Sequence, residues 1–284
     1  MSCKSCVQSG LLAIASLGLV GCAGVSGFAD SLAESMASQS DPALVGEALP
    51  AYVILADTRA RRSPDDADAQ FGAARLYSTY GGSFVDDPQR RRSLSDTGYR
   101  YARAGLCLTL EAVCEALDAR FPDFRAALAD EVDDHQDSRH LYRFASAWAT
   151  RVQAHSDDYD AMADLPRIEA AFNRVLELTP EIDHGFAHVY LGVLLAQRPA
   201  ALGGSPDEAR AHFERAIEIS DGRNLMAKAL YAEHYARLVF DRALHERLVD
   251  EVLAAEAEAD DLTVSNHLAQ RRARRLRDSA DDFF

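Results

Sequence analysis

From about position 50 onward, apolar residues recur at intervals of three and four. Leu106, Leu110, Val113 and Leu117 make one such stripe, and Phe213 and Ile217 belong to another. This spacing places them on one face of an α-helix, while the strict alternation of a half-buried strand is absent, so the pattern predicts an all-α fold. Breaks are expected at Ser63-Pro64-Asp65-Asp66, Gly81-Gly82-Ser83, Pro122, Ser156 to Asp160, Thr179-Pro180, Gly203-Gly204-Ser205-Pro206 and Asp221-Gly222, which divide the chain into about ten helices. Ser205 reads as an N-cap, with Pro206 at the first helical position and Asp207 and Glu208 in the first turn. Residues 23–50 begin as a Gly/Ser-containing tether and gain weak helical periodicity at Leu32, Met36, Leu44 and Leu49.

An internal repeat sharpens this reading. Ile168-x3-Phe172-x2-Val175-x4-Pro180 and Ala209-x3-Phe213-x2-Ala216 both match the second helix of a tetratricopeptide unit, and Leu191-Gly192 supplies a first helix. In such a unit a small residue lets two helices cross closely, a phenylalanine fills the seam and a proline stops the second helix. Phe71-Gly72 followed by Gly98-x3-Ala102-x2-Gly105 reads as a degenerate unit, with extra loop length expected at 81–93 and 197–206. The expected architecture is a TPR-like helical array over residues 49–284.

The N-terminus has a different character. Lys4 is the only charged side chain ahead of the apolar run Gly10 to Gly21, which is too short to span a bilayer and ends in Leu19-Val20-Gly21-Cys22. This is the pattern of a lipoprotein signal peptide over residues 1–21, with Cys22 as the lipid attachment site and residues 22–48 as a lipidated tether and first helix. Two acyl chains on Cys22 would hold the protein stably to a membrane. Ala23 lacks the acidic character that retains some lipoproteins in the inner membrane, which leaves the choice of membrane open. Removing residues 1–21 of the 284 leaves 263, enough for a sizeable core at 48% apolar composition; with Lys4 lost, the net charge of −15 becomes −16. So acidic a surface argues against nucleic acid as a partner. Cys107 and Cys114 remain as a possible disulfide pair, but seven residues along one helix separates Cα atoms by about 10 Å, beyond the roughly 7 Å limit, so both are expected as reduced core residues.

No catalytic constellation emerges. His184-Gly-Phe-Ala-His188 spaces two imidazoles by one helical turn, yet Gly185 stands where a zinc protease needs its Glu base, and no third ligand is evident; two helix-face histidines are expected, with no metal or other cofactor. Asp133-Asp134-His135-Gln136-Asp137 lacks the glycine and terminal Glu of a calcium loop and reads as a solvated acidic loop. The Gly-Gly-Ser turns precede no Lys-Ser/Thr and read as hinges. Arg90-Arg91-Arg92 and the group Arg271, Arg272, Arg274, Arg275 and Arg277 are expected to pair with neighbouring helices. The stretch Asn224 to Arg242 mixes aromatics with charges, and Lys228, Tyr231, His234 and Tyr235 are candidates to line an apolar ligand cavity with polar groups for orientation.

The C-terminal hundred residues carry a more specific signal. HVYLGVLLAQRPAALGGSPDEARAHFERAIEIS, NLMAKALYAEHYARLVFDRALHERLVDEVLAA and LTVSNHLAQRRARRLRDSADDFF, preceded in order by FGAARLYSTYGGSFVDD, GYRYARAGL and DDYDAMADLPRIEAAFNRVLEL, resemble the TPR-containing periplasmic lipoproteins of TRAP transporters, the T component called TatT. The resemblance spans roughly residues 50–284. It implies a non-enzymatic periplasmic protein, anchored to a membrane by lipid, that forms a homotrimer, partners a TRAP substrate-binding protein and has a pore through each protomer that admits ligand. A competing class is a cell-envelope TPR scaffold whose groove binds an extended protein segment.

Overall fold

The computed structural model describes residues 35–198 and 203–284, so Cys22 and the signal peptide lie outside the described residues. Those residues are all-helical, with no strand among them. Thirteen α-helices follow in order: α1 Pro42–Arg62, α2 Ala67–Phe84, α3 Pro88–Thr109, α4 Glu111–Ala116, α5 Phe121–Glu131, α6 His135–Ala154, α7 Tyr159–Met162, α8 Leu165–Leu178, α9 Phe186–Gln197, α10 Pro206–Ile219, α11 Leu225–Leu230, α12 Arg242–Ala254 and α13 Thr263–Asp278. A 3₁₀ turn, Ile182–Gly185, precedes α9, and a π-helical segment, Tyr231–Ala236, continues α11. The number exceeds the ten expected because α4, α7 and α11 are pieces of four to six residues that carry too few turns to register as periodicity. α1 continues through residues 48 and 49, with Pro50 inside it.

Short polar side chains start the helices. Asp41, Asp66, Asp87, Asp134, Asp158, Asn224 and Asp241 each accept a backbone N–H from the first turn, and Ser205 accepts from Glu208 N as its sequence suggested. Pro42, Pro88 and Pro206 occupy the first turns of their helices, where no intrahelical N–H is needed. Capping by Asp134 gives the acidic run 133–137 a helix-starting role.

The longer helices pack side by side in chain order, α2 on α3, α3 on α6, α6 on α8, α8 on α9 and α9 on α10, and α11, α12 and α13 close the C-terminal end. One continuous core runs through them, with Trp148, Phe124, Phe144, Phe172 and Phe213 fully enclosed. A smaller cluster joins Val45, Leu49 and Val53 of α1 to Tyr80 and Val85, with Val264 of α13 packed against it. Two helix crossings depend on glycine. A Cβ on Gly192 of α9 would lie 2.9 Å from the Phe213 ring of α10, and one on Gly105 of α3 would lie 3.0 Å from the Phe71 ring of α2. Both are closer than carbon atoms pack, so the absence of a side chain is what admits the ring.

Three expectations need correction. Gly81-Gly82-Ser83 is not a hinge; it lies within α2, where a Cβ on Gly81 would sit 3.1 Å from Leu94 Cβ, so this glycine brings α2 and α3 together. Cys107 and Cys114 form a disulfide, with Cα atoms 5.0 Å apart. The chain is not one helix between them: Leu110 leaves helical geometry at φ −137°, ψ 75°, and Glu131 accepts the N–H groups of Ala112 and Val113 to start α4 in a new direction. Cys114 is buried, whereas Cys107 is exposed. The arginine clusters divide. Arg90 donates to Tyr80 Oη, Arg91 to the Val85 carbonyl, and Arg92 to the Ala154 carbonyl and Asp157, as expected of structural pairing. In α13, Arg272 pairs with Glu233, but Arg271, Arg274 and Arg275 are exposed and have no side-chain partner among the described residues.

Candidate functional site

The stretch singled out in the sequence folds into a conformation that no sequence rule announced. Asn224 caps α11 by accepting from Ala227 N, and its Nδ2 donates to the His184 carbonyl. Asn266 of α13, fully enclosed, accepts from Leu225 N and donates to the carbonyls of Arg223 and Ala257, all at 3.0 Å. The helix start is thus held from two sides. From Tyr231 the backbone widens into the π segment, closed by the Asp241 N–H to Ala236 O bond at 2.9 Å. Such segments are rare and occur disproportionately at functional sites.

Tyr231, His234 and Tyr235 all lie in this segment. Tyr231 is buried, stacks on Phe213 at 5.0 Å between ring centroids and faces Tyr235 at 5.2 Å. Its hydroxyl donates to Glu214 Oε1 at 3.3 Å, and Arg210 donates to the same carboxylate oxygen at 2.8 Å. Burial first, and the Glu214 charge second, push the Tyr231 phenol well above its ordinary range. His234 shares a 2.9 Å hydrogen bond through Nδ1 with Gln197 at the end of α9, while its buried Nε2 has no partner among the described residues. Burial lowers its pKa, so the ring is neutral at physiological pH.

Lys228 is not part of this group. It turns to α12, where its ammonium pairs with Glu251 at 2.8 Å. A cavity of about 280 Å³ lies elsewhere in the C-terminal region, lined by residues of α12 and α13 and the chain after it, His245, Val249, Arg277 and Asp281 among them; none of the four candidates borders it.

Two further polar groupings were invisible in the sequence. Asp183 and His184 adopt left-handed backbone, φ 50° and 52°, ahead of Gly185 at φ 81°. This turn aims Asp183 at the Tyr142 hydroxyl of α6, which donates to it. Tyr190 of α9 stacks on Phe172, and burial, with Asp183 adding to it, pushes its phenol up to about 12. The same turn removes His184 from the helix face expected of it, so the two histidines do not share one: His184 belongs to the 3₁₀ turn, whereas His188 stands on α9. His188 meets instead His212 of α10, Nδ1 to Nδ1 at 2.8 Å. Burial first, then the neighbouring His212 and Arg215 charges, lower the His188 pKa to about 4, and burial lowers that of His212 as well.

A histidine that the fold keeps neutral takes up protons more readily when unfolded, so stability falls as pH decreases from about 6.5 toward 4 and is fully present above that window. His140, His234 and His245 shift in the same direction. The urea midpoint is expected to drop measurably between pH 7 and pH 5, and the drop is expected to shrink in His188→Gln. An equal midpoint at both pH values would contradict the burial of these rings.

No helix among the described residues is long and apolar enough to cross a membrane. No curated protein matches the chain. The TRAP transporter T-component family matches it over residues 38–284, which include every helix above, and the chain therefore belongs to the TRAP transporter T-component family.

Proposed function

We propose that this protein is a lipid-anchored periplasmic component of a TRAP-type solute uptake system, a non-enzymatic TPR-like helical scaffold that docks the system's substrate-binding protein and holds or passes a small apolar or organic-acid ligand. The family match over 38–284 carries this reading. Support for the TPR-like arrangement comes from the Gly192–Phe213 and Gly105–Phe71 crossings, which have the small-residue-against-phenylalanine form of such units. For the ligand we place Tyr231, His234 and Tyr235 at the wall of the path, because the π segment puts an aromatic pair beside an imidazole with an unpaired buried nitrogen. Lys228, bound to Glu251, holds α12 against this wall. The homotrimer is the assembly in which three such protomers would act together at one membrane face.

The anchor has a direct test. Cys22→Ala is expected to move the protein from the membrane fraction to the soluble fraction, since it removes both acyl chains. Protein that stays with the membrane after this substitution would contradict lipid anchoring. For the ligand, native mass spectrometry of the detergent-extracted protein is expected to show a bound small molecule that is lost in Tyr231→Ala. Capture of the full chain should also bring down the substrate-binding protein; recovery of an extended envelope-protein segment in its place would favour the scaffold reading.

A further inference from the structure

We propose that His188 and His212 form a binding site for a borderline divalent transition-metal ion, of the zinc, copper or nickel type, bridging α9 and α10. The two imidazoles come from different helices and approach through like atoms, Nδ1 to Nδ1 at 2.8 Å, with ring centroids 5.1 Å apart and planes inclined by 39°. One ring must donate and the other accept, so the pair holds a single proton between two nitrogen lone pairs. A metal ion taking that proton's place between the same two atoms needs a lone pair from each of them. At a metal–nitrogen distance of about 2.0–2.1 Å and tetrahedral angles, two ligating nitrogens lie about 3.3 Å apart. The existing separation is thus about 0.5 Å from a ligand pair.

The surroundings suit this exchange. Both side chains are half-buried, and neither Nε2 is a buried unpaired atom. On binding, the ring that carries its proton on Nδ1 moves it to Nε2, the Nδ1–H bond is lost, and both Nδ1 lone pairs ligate; the two rings stay neutral. Imidazole nitrogen selects this class of ion over calcium or magnesium. Glu208 stands one helical turn before His212, a spacing at which an exposed carboxylate can swing toward the same ion, and water completes the shell. Arg215 lies near enough to lower the His188 pKa and would oppose the metal charge in part, whereas Glu208 and Glu169 favour it at His212. Thiolates do not compete, because Cys107 and Cys114 are joined to each other.

The test uses the mature, detergent-solubilised protein. Titration calorimetry with Zn²⁺ is expected to show one site per chain, weakened at least about tenfold by His188→Gln and likewise by His212→Gln, with both variants folded by circular dichroism. Copper(II) in the same protein is expected to give an electron paramagnetic resonance spectrum with coupling to two equivalent imidazole nitrogens, reduced to one in either variant. Asp134→Asn, in the acidic cluster Asp133, Asp134 and Asp137, is expected to leave both readouts unchanged. Absence of Zn²⁺ binding up to about millimolar concentration would overturn the proposal. So would binding that survives both histidine substitutions, or that is lost with Asp134→Asn.

Discussion

Replacing Phe213 by alanine is expected to cost about 3–5 kcal/mol, the range for deleting a fully enclosed aromatic ring. In a domain of this size, that corresponds to a fall in Tm of roughly 6–20 °C. The ring does three things at once: it fills the crossing of α9 and α10, rests against Gly192 and supports Tyr231 of the π segment. Its partner provides a check that a generic core position would fail. Gly192→Ala alone places a methyl group 2.9 Å from the ring and should destabilise by about 1–3 kcal/mol through overpacking. In the Phe213→Ala background the methyl enters vacated space, and the same substitution should become nearly neutral or stabilising. Equilibrium denaturation of the two single variants and the double variant measures this coupling. Additive effects would contradict the packing described here.

Asn266→Ala is expected to be almost as damaging, although it removes only a short polar side chain. Its amide satisfies one backbone N–H and two carbonyls from three separate segments, Leu225, Arg223 and Ala257, in a place closed to water. Each buried group left without a partner costs about 1–3 kcal/mol, so a loss of roughly 3 kcal/mol or more is the expected outcome by thermal or urea unfolding. Hydrogen exchange adds a positional readout: amides of α11 and the π segment should lose protection before those of α6 and α8. Asn266→Asp keeps the acceptor for Leu225 N but sets a carboxylate against the two carbonyls in a place closed to water, so at neutral pH a loss at least as large as that of Asn266→Ala is expected. A change below about 1 kcal/mol in Asn266→Ala would mean that α11 is held by other contacts.

Patterns that act over one or two helical turns were readable in the sequence. The helical period located the elements, Ser205 and Pro206 marked the start of α10, and the spacing of Gly192 and Phe213 anticipated their contact. What escaped depends on geometry that single residues do not advertise. The bend at Leu110 contains neither glycine nor proline, so a seven-residue spacing that separates two cysteines on a straight helix instead brings them to 5.0 Å. Gly81 and Gly82 resemble a hinge in sequence but serve close packing inside α2. Asp183 and His184 take a left-handed turn that short polar side chains tolerate, and this detaches His184 from the helix that His188 occupies. The π segment has no sequence signature, and Lys228, one turn before Tyr231, is drawn to Glu251 on α12. His188 and His212 meet across two helices, a pairing that no local spacing encodes.

For this member of the TRAP transporter T-component family, the proposed docking of a substrate-binding protein has a direct test. Native mass spectrometry of the full chain in mild detergent, alone and with the purified substrate-binding protein of the same transport system, addresses it most directly. A trimer that takes up as many as three copies of the binding protein is the expected result. A monomer that ignores the binding protein at concentrations well above micromolar would contradict it.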